Sequence, residues 1–187
     1  MKNTRELLIR KGAGIMRVKG YNSTSIKDIV EAGSIPKGSF YYYFESKEIF
    51  GLELINHYAA DLNEALDRCI DASNDMALGA LRSFFDELTE GLKEDGYRGG
   101  LALGNFVTEL ADVNEMFRQA LKITFDQIVM KMAGVVHRAV ENGEVETTLN
   151  HSVYARFLFF AWLGICGEMK ITHSSETYNA FCKMYLS

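Results

Sequence analysis

The chain has 187 residues, 48% of them hydrophobic and 24% charged, with a formal net charge of −5. That is ample for one sizeable domain or a small one joined to a larger one, and it excludes a disordered chain. The charge is unevenly divided: residues 1–50 hold nine Lys/Arg against five Asp/Glu, and the remaining 137 hold eleven against twenty. A basic head suited to a polyanion therefore precedes an acidic body that is not.

The opening "MKNTRELLIRK" is charged and lacks the apolar core of a signal segment, so a cytoplasmic protein is expected. The spacing of Leu7, Leu8, Ile15, Met16 and Val18 predicts a helix over 4–19, with Gly20 as its stop. Gly12 and Gly14 inside it each cost about 1 kcal/mol relative to Ala. Either they admit a close neighbour or this helix leans on its surroundings. In "YNSTSIKDIVEAG", Thr24 or Ser25 caps a second helix, with Asp28 in its first turn and Ile26, Ile29 and Val30 on one face. Gly33 and Ser34 break the chain; Ser34 then caps a third helix over about 35–44, with Pro36 in its first turn. Two short helices joined by about three residues have helix-turn-helix spacing.

On that third helix Phe40 and Phe44 share a face, while Lys37, Ser39, Tyr41 and Tyr42 point elsewhere. We read it as a recognition helix whose phenylalanine side turns inward. Ser46 caps a long helix running towards Arg68, and "DASND" (71–75) reads as a linker. Further helices are expected over 76–94, 98–111, 113–142, 151–171 and 175–186, with glycines at 96, 99, 100 and 104 blurring the boundary near residue 100. The longest apolar runs, such as "FLFFAWLGIC", are too short for a membrane span. Cys69, Cys166 and Cys182 have no metal-ligand spacing and read as reduced, mostly buried thiols.

The stretch "STSIKDIVEAGSIPKGSFYYYFESKEIF" resembles the N-terminal DNA-binding domain of the tetracycline-repressor (TetR) family of bacterial transcription regulators. The likeness spans about residues 4–55 and is strongest at "PKGSFYYYFESKE"; further on, "GNFVTELAD" and "AWLGICGEMK" look like one subgroup of the family's helical bodies. The resemblance implies an all-α fold. An N-terminal three-helix helix-turn-helix DNA-binding domain would occupy 1–47, and an all-helical effector-binding and dimerisation domain 48–187. It also implies a homodimer on double-stranded operator DNA, released when a small molecule bound in the body changes the spacing of the heads. No cofactor and no membrane are implied. Two departures stand out: Ser34 occupies a position where relatives more often carry Gly, and Gly100 one where some of the subgroup carry a sensing cysteine.

By position, Thr24 and Ser25 suit phosphate binding at the start of the second helix. Lys37 and Ser39 lie where a recognition helix reaches base edges, and Gly38 lets the backbone approach closely. Tyr41 and Tyr42 suit phosphates or a thymine methyl, Tyr43 joins them without a defined role, and Lys47 reads as a phosphate clamp. In the body Phe85, Phe106 and Phe125 are helix-spaced aromatics of either the core or a ligand wall. Tyr58, Asn105, Glu109 and His137 join them as candidate ligand contacts; Glu109 facing a cavity would favour a cationic or hydrogen-bonding ligand.

The segment "SVYARFLFFAWLGICGEMKIT" is apolar nearly all round, so it is buried on more than one side. Phe157, Phe160, Ala161, Gly164 and Ile165 are read as a dimer surface, the alternative being the centre of a monomeric bundle. There is no HExxH, glycine-rich phosphate loop or Gly-x-Ser-x-Gly, and the four histidines lack ligand spacing. The function expected is a DNA-binding transcriptional regulator, a repressor released by a small-molecule ligand. The alternatives are a same-fold DNA-binding protein governed by protein contacts, and an all-helical enzyme whose basic head is incidental.

Overall fold

A computed structural model of the chain describes residues 2–73 and 76–187. Among them the regular elements are nine helices, with no strand: α1 (Lys2–Lys19), α2 (Ile26–Ala32), α3 (Lys37–Tyr43), α4 (Lys47–Ala72), α5 (Ala77–Glu94), α6 (Ala102–Leu110), α7 (Glu115–Glu141), α8 (His151–Thr172) and α9 (Glu176–Tyr185). The all-α class expected from the sequence is what is observed. Most boundaries differ from the expected ones by one or two residues, α3 by starting at Lys37 rather than 35, and two differ by four. Helix α4 runs on through Ala72 into the expected linker, of which Asn74 and Asp75 lie outside the described residues. Helix α6 starts at Ala102 rather than 98, because Gly96, Tyr97, Gly99 and Gly100 all have φ between 61° and 78°, which no right-handed helix accommodates.

The chain divides into two compact units, residues up to 60 with 99–124, and 61–98 with 125–187. The first is built on a phenylalanine cluster. Phe40 of α3, Phe44 just after it and Phe50 of α4 have ring centroids 4.8–5.5 Å apart, and none is more than 2% exposed. Burying each ring contributes about 2–3 kcal/mol. Leu8 and Met16 of α1 and Ile29 and Val30 of α2 complete this core. Gly12 of α1 has its place here for a steric reason. A Cβ on it would lie 2.6 Å from Phe50 Cε1 and nearer still to Cζ, whereas one on Gly14 would meet nothing within 4 Å.

In the second unit Trp162 of α8 is buried with its indole N–H donating to Thr89 of α5 at 3.0 Å. Phe85 lies against Phe84, Trp162 and Phe181, with centroids 5.4–5.7 Å away. The orphan amides of α5 at Ala77 and Leu78 donate to the Glu144 carboxylate at 3.0 and 2.7 Å, a cap supplied from far along the chain. Helix α9 is held to α5 by the Tyr178 hydroxyl, which donates to Asp86 at 2.7 Å. No described helix is long and apolar enough to cross a membrane.

Candidate nucleic-acid interface

The turn between α2 and α3 sets the geometry of the basic head. Its hydrogen bonds run from Ser34 N to Glu31 O (3.1 Å) and from Ile35 N to Val30 O (2.9 Å), the paired pattern of a Schellman C-terminus. That motif needs one left-handed residue, and it is Ser34, at φ 53°, while Gly33 stays right-handed at φ −98°. Ser34 therefore ends α2 and does not cap α3, correcting the expectation from sequence. Pro36 is the N-cap of α3 and offers no side-chain bond.

Helix α3 has two unlike sides. Phe40 is fully buried and Phe44 2% exposed, whereas Tyr41 and Tyr42 are 51% and 67% exposed. Lys37 and Gly38 are exposed as well, Ser39 is half-buried, and the space above Gly38 is open. Tyr43 is half-buried, packed edge-on against Tyr42 with centroids 4.8 Å apart. A lysine, a small flat step and two phenols thus form one outward surface on a helix anchored from behind.

At the start of α2, Ser25 rather than Thr24 is the cap. Its hydroxyl accepts from Asp28 N (3.1 Å) while Asp28 accepts from Ser25 N (2.7 Å), a reciprocal capping box. The Ser25 hydroxyl also donates to the Asp28 carboxylate at 2.6 Å. These hydrogen bonds from Ser25, and beyond them the nearby Lys19 ammonium, hold the Asp28 carboxyl down at about 2. Thr24 is 1% exposed and its hydroxyl donates to Gly20 O at 2.7 Å. A phosphate contact through the Thr24 side chain is therefore corrected: that hydroxyl belongs to the end of α1.

Lys47, the first residue of α4, is half-buried with its ammonium 4.3 Å above the centre of the Tyr21 ring. Burial lowers its pKa, and the Glu109 and Asp28 carboxylates act against that shift. Tyr21 itself, held by Phe117 and Phe106 with centroids 5.2 and 5.7 Å away, is kept protonated by burial, its pKa raised to about 12. The sequence marks Tyr21 only as an aromatic directly after the helix-stopping Gly20.

The effector candidates scatter. The two oxygens of Glu109 accept from the backbone N–H of Tyr21 (3.1 Å) and Asn22 (2.8 Å). Asn105 donates to Arg17 O (3.2 Å) and Gly99 O (2.9 Å), and Tyr58 donates to Ala13 O (2.7 Å). Phe106 is 1% exposed beside Tyr21, Tyr58 and Phe117. These four dock α6 and α4 onto α1 and its following turn. His137 stands on the solvent side of α7, its ring stacked on His151 at 5.1 Å and 3.6 Å from Glu141, which corrects its assignment as a ligand contact. Phe85 is buried, as is Phe125, which lies against Phe159 and Phe160. On α8, Phe157 and Phe160 are 46% and 38% exposed and Gly164 is exposed, while Ala161 and Ile165 are half-buried.

Comparison with known proteins decides the family. Residues 2–52 match the model of bacterial regulatory proteins of the tetR family, and residues 77–185 match that of the tetracyclin repressor-like C-terminal domain. The chain belongs to the TetR family. It is 30% identical over 177 residues to the HTH-type transcriptional repressor DhaR of Mycobacterium sp. (strain GP1), covering 95% of this chain and 87% of that protein. With the transcriptional regulator AcuR of Cereibacter sphaeroides it shares 29% identity over 178 residues, 95% of this chain and 81% of the other. The crystal structure of a regulatory protein TetR from Rhodobacter sphaeroides superposes with a TM-score of 0.89 at 29% identity, over 96% of this chain and 95% of that one. The Escherichia coli NemR reduced form, at 24% identity and a TM-score of 0.86 over 97% and 94% of the two chains, shares the fold.

As a TetR-family member the chain is a DNA-binding transcriptional regulator with an N-terminal helix-turn-helix domain and a helical C-terminal domain. TetR-family regulators are generally non-enzymatic, and their fold implies operator binding, dimerisation and a small-molecule ligand.

Proposed function

We propose that this regulator is a repressor, working as a cytoplasmic, non-enzymatic homodimer that lays α3 of each protomer in the major groove of its operator. One observation carries this reading. The same two-turn helix buries Phe40, with Phe44 buried at its C-cap, and exposes Tyr41 and Tyr42, so it is rigidly seated yet offers a polar face. Lys37 and Ser39, in its first turn, read base edges; Gly38 lets the helix come close; Tyr41 and Tyr42 serve phosphates or thymine methyls, and Tyr43 backs them. Lys47 contacts a phosphate, and the N-terminus of α2 near Ser25 lies along the backbone. The head is residues 1–47, and the helical remainder, 48–187, receives the effector and dimerises.

The dimer surface is the outward stripe of α8, where Phe157, Phe160 and Gly164 lie with Ala161 and Ile165 at its flank. Exposed phenylalanines flanking a small residue suit close packing against a second copy. Phe85 and Phe125 are the effector-wall candidates that keep that role. The effector binds without a covalent step at a thiol: Cys69, Cys166 and Cys182 are all buried, and burial raises each thiol's pKa, that of Cys166 to about 12.

The test is a gel shift of the full-length protein with the DNA upstream of its own gene, against a scrambled duplex, then repeated with a panel of small molecules. Retarded upstream DNA, and release by at least one non-electrophilic compound that also raises the protein's melting temperature in proportion to its concentration, is the expected result. Equal affinity for the scrambled duplex refutes operator recognition. Release only by thiol-modifying reagents refutes the non-covalent effector.

A further inference from the structure

Gly20, Tyr21 and Asn22 form the turn from α1 towards α2, and a carboxylate sits in it. Gly20 has φ +82°, and a Cβ there would stand 3.0 Å from the Glu109 carboxyl carbon and closer still to Oε1. Glu109 Oε1 and Oε2 then accept from the two successive amides at Tyr21 and Asn22, at 3.1 and 2.8 Å. Both oxygens of a residue on α6 are thus used to fix a backbone turn 87 and 88 residues earlier. What that turn presents is the Tyr21 ring, with the Lys47 ammonium 4.3 Å above it.

We propose that Glu109 is a positioning residue for DNA binding: by holding the Gly20–Tyr21–Asn22 turn it keeps the Tyr21 ring under Lys47 and so aims the Lys47 ammonium at an operator phosphate. The inference rests on the reading of Lys47 as a phosphate contact. It gives α6 a direct hold on a DNA-contacting side chain, separate from any change in the spacing of two heads. The carboxylate geometry matters more than its charge. Three acids surround Lys47 electrostatically or in sequence, Glu109, Asp28 and Glu48, and Asp28 is committed to its capping box. Glu48 accepts from the Asn114 side chain. Of these three acids, Glu109 is the one that accepts from the backbone amides of the turn that carries the ring.

Charge and geometry predict opposite effects, which makes the inference testable. Removing a negative charge beside DNA strengthens binding, whereas losing the aim of Lys47 weakens it. The full-length repressor is measured against its operator over 50–300 mM salt as wild type, Glu109→Gln, Lys47→Met and the double variant, with thermal unfolding of each. The Gln side chain keeps one acceptor oxygen but sets an NH2 against an amide N–H. Lys47→Met is expected to make the plot of log affinity against log salt shallower by about 0.9 per protomer. Glu109→Gln is expected to reproduce that change with a several-fold loss of affinity, and to have no further effect when Met already stands at 47.

Tighter binding by Glu109→Gln in both backgrounds overturns the inference in favour of a charge effect. An equal loss in both backgrounds overturns it in favour of general loosening, while leaving Lys47 as a phosphate contact. No effect of Lys47→Met removes the phosphate contact itself, and the inference with it. Should Glu109→Gln fail to fold, Tyr21→Leu replaces it, with the same salt-slope loss expected only when Lys47 is present; the same loss in both backgrounds refutes the role of the ring.

Discussion

Two glycines two residues apart on α1 permit a controlled test of how the head is packed. Replacing either with Ala gains about 1 kcal/mol of helix propensity. At Gly14, which is exposed with nothing within 4 Å of a new Cβ, that gain is unopposed. At Gly12 the methyl enters the Phe50 ring, 2.6 Å from Cε1, with Ile29 Cγ2 a further 3.7 Å neighbour. Phe50 has little room to turn aside, since Phe40 and Phe44 hold it with centroids 5.2 and 4.8 Å away and its own exposure is zero. Overpacking of that kind costs about 1–3 kcal/mol. Gly14→Ala should therefore raise stability by about 1 kcal/mol, or about 2–4 °C in Tm for a chain of this length. Gly12→Ala should fall below Gly14→Ala by about 1–3 kcal/mol, the overpacking term alone. The assay is thermal and urea unfolding of both variants at one fixed protomer concentration, because dimerisation makes Tm concentration-dependent. Equal stabilisation by the two substitutions would refute the close contact of α1 with Phe50.

Ser34→Gly places the residue suited to φ 53° at the Schellman position, and relief of about 1–2 kcal/mol less about 0.5–1 kcal/mol of added unfolded-chain entropy leaves a gain of about 0–1.5 kcal/mol, read by urea unfolding. A loss of stability would mean that the serine hydroxyl matters to the turn. The Asp28 carboxyl is held at about 2, below its ordinary 3.8. A depressed folded pKa adds stability above the unfolded value and loses it as pH falls through the folded one. The capping-box contribution should accordingly be intact above about pH 4 and fade between there and about pH 2; Asp28→Asn should abolish that part of the pH dependence, checked by unfolding at a series of pH values.

Much of this was legible in the sequence because it is local. Apolar spacing placed the helices, Ser46 was recognised as the cap of α4, where its hydroxyl accepts from Ile49 N at 3.1 Å, and the split of α3 into a phenylalanine and a lysine–tyrosine side followed from the four-residue step between Phe40 and Phe44. What was missed depends on partners far along the chain. Glu109 and Asn105 looked like polar groups in an apolar setting because their acceptors and donors, the backbone of Tyr21, Asn22 and Arg17, lie 87 or 88 residues away. The cap of α5 is Glu144, 66 and 67 residues beyond the amides it accepts from. At the α2–α3 turn, a serine just before Ile35-Pro36 looked like the cap of α3, yet the hydrogen-bond pattern makes Ser34 the left-handed residue that ends α2.

The most direct test of α3 as the groove-facing helix is the affinity of Lys37→Ala for operator and for random duplex, measured side by side with wild type at matched salt. A base-reading Lys37 predicts a loss of about 1–3 kcal/mol on the operator and a much smaller loss on random DNA, so that discrimination collapses. Identical losses on both duplexes, or none on either, would contradict it.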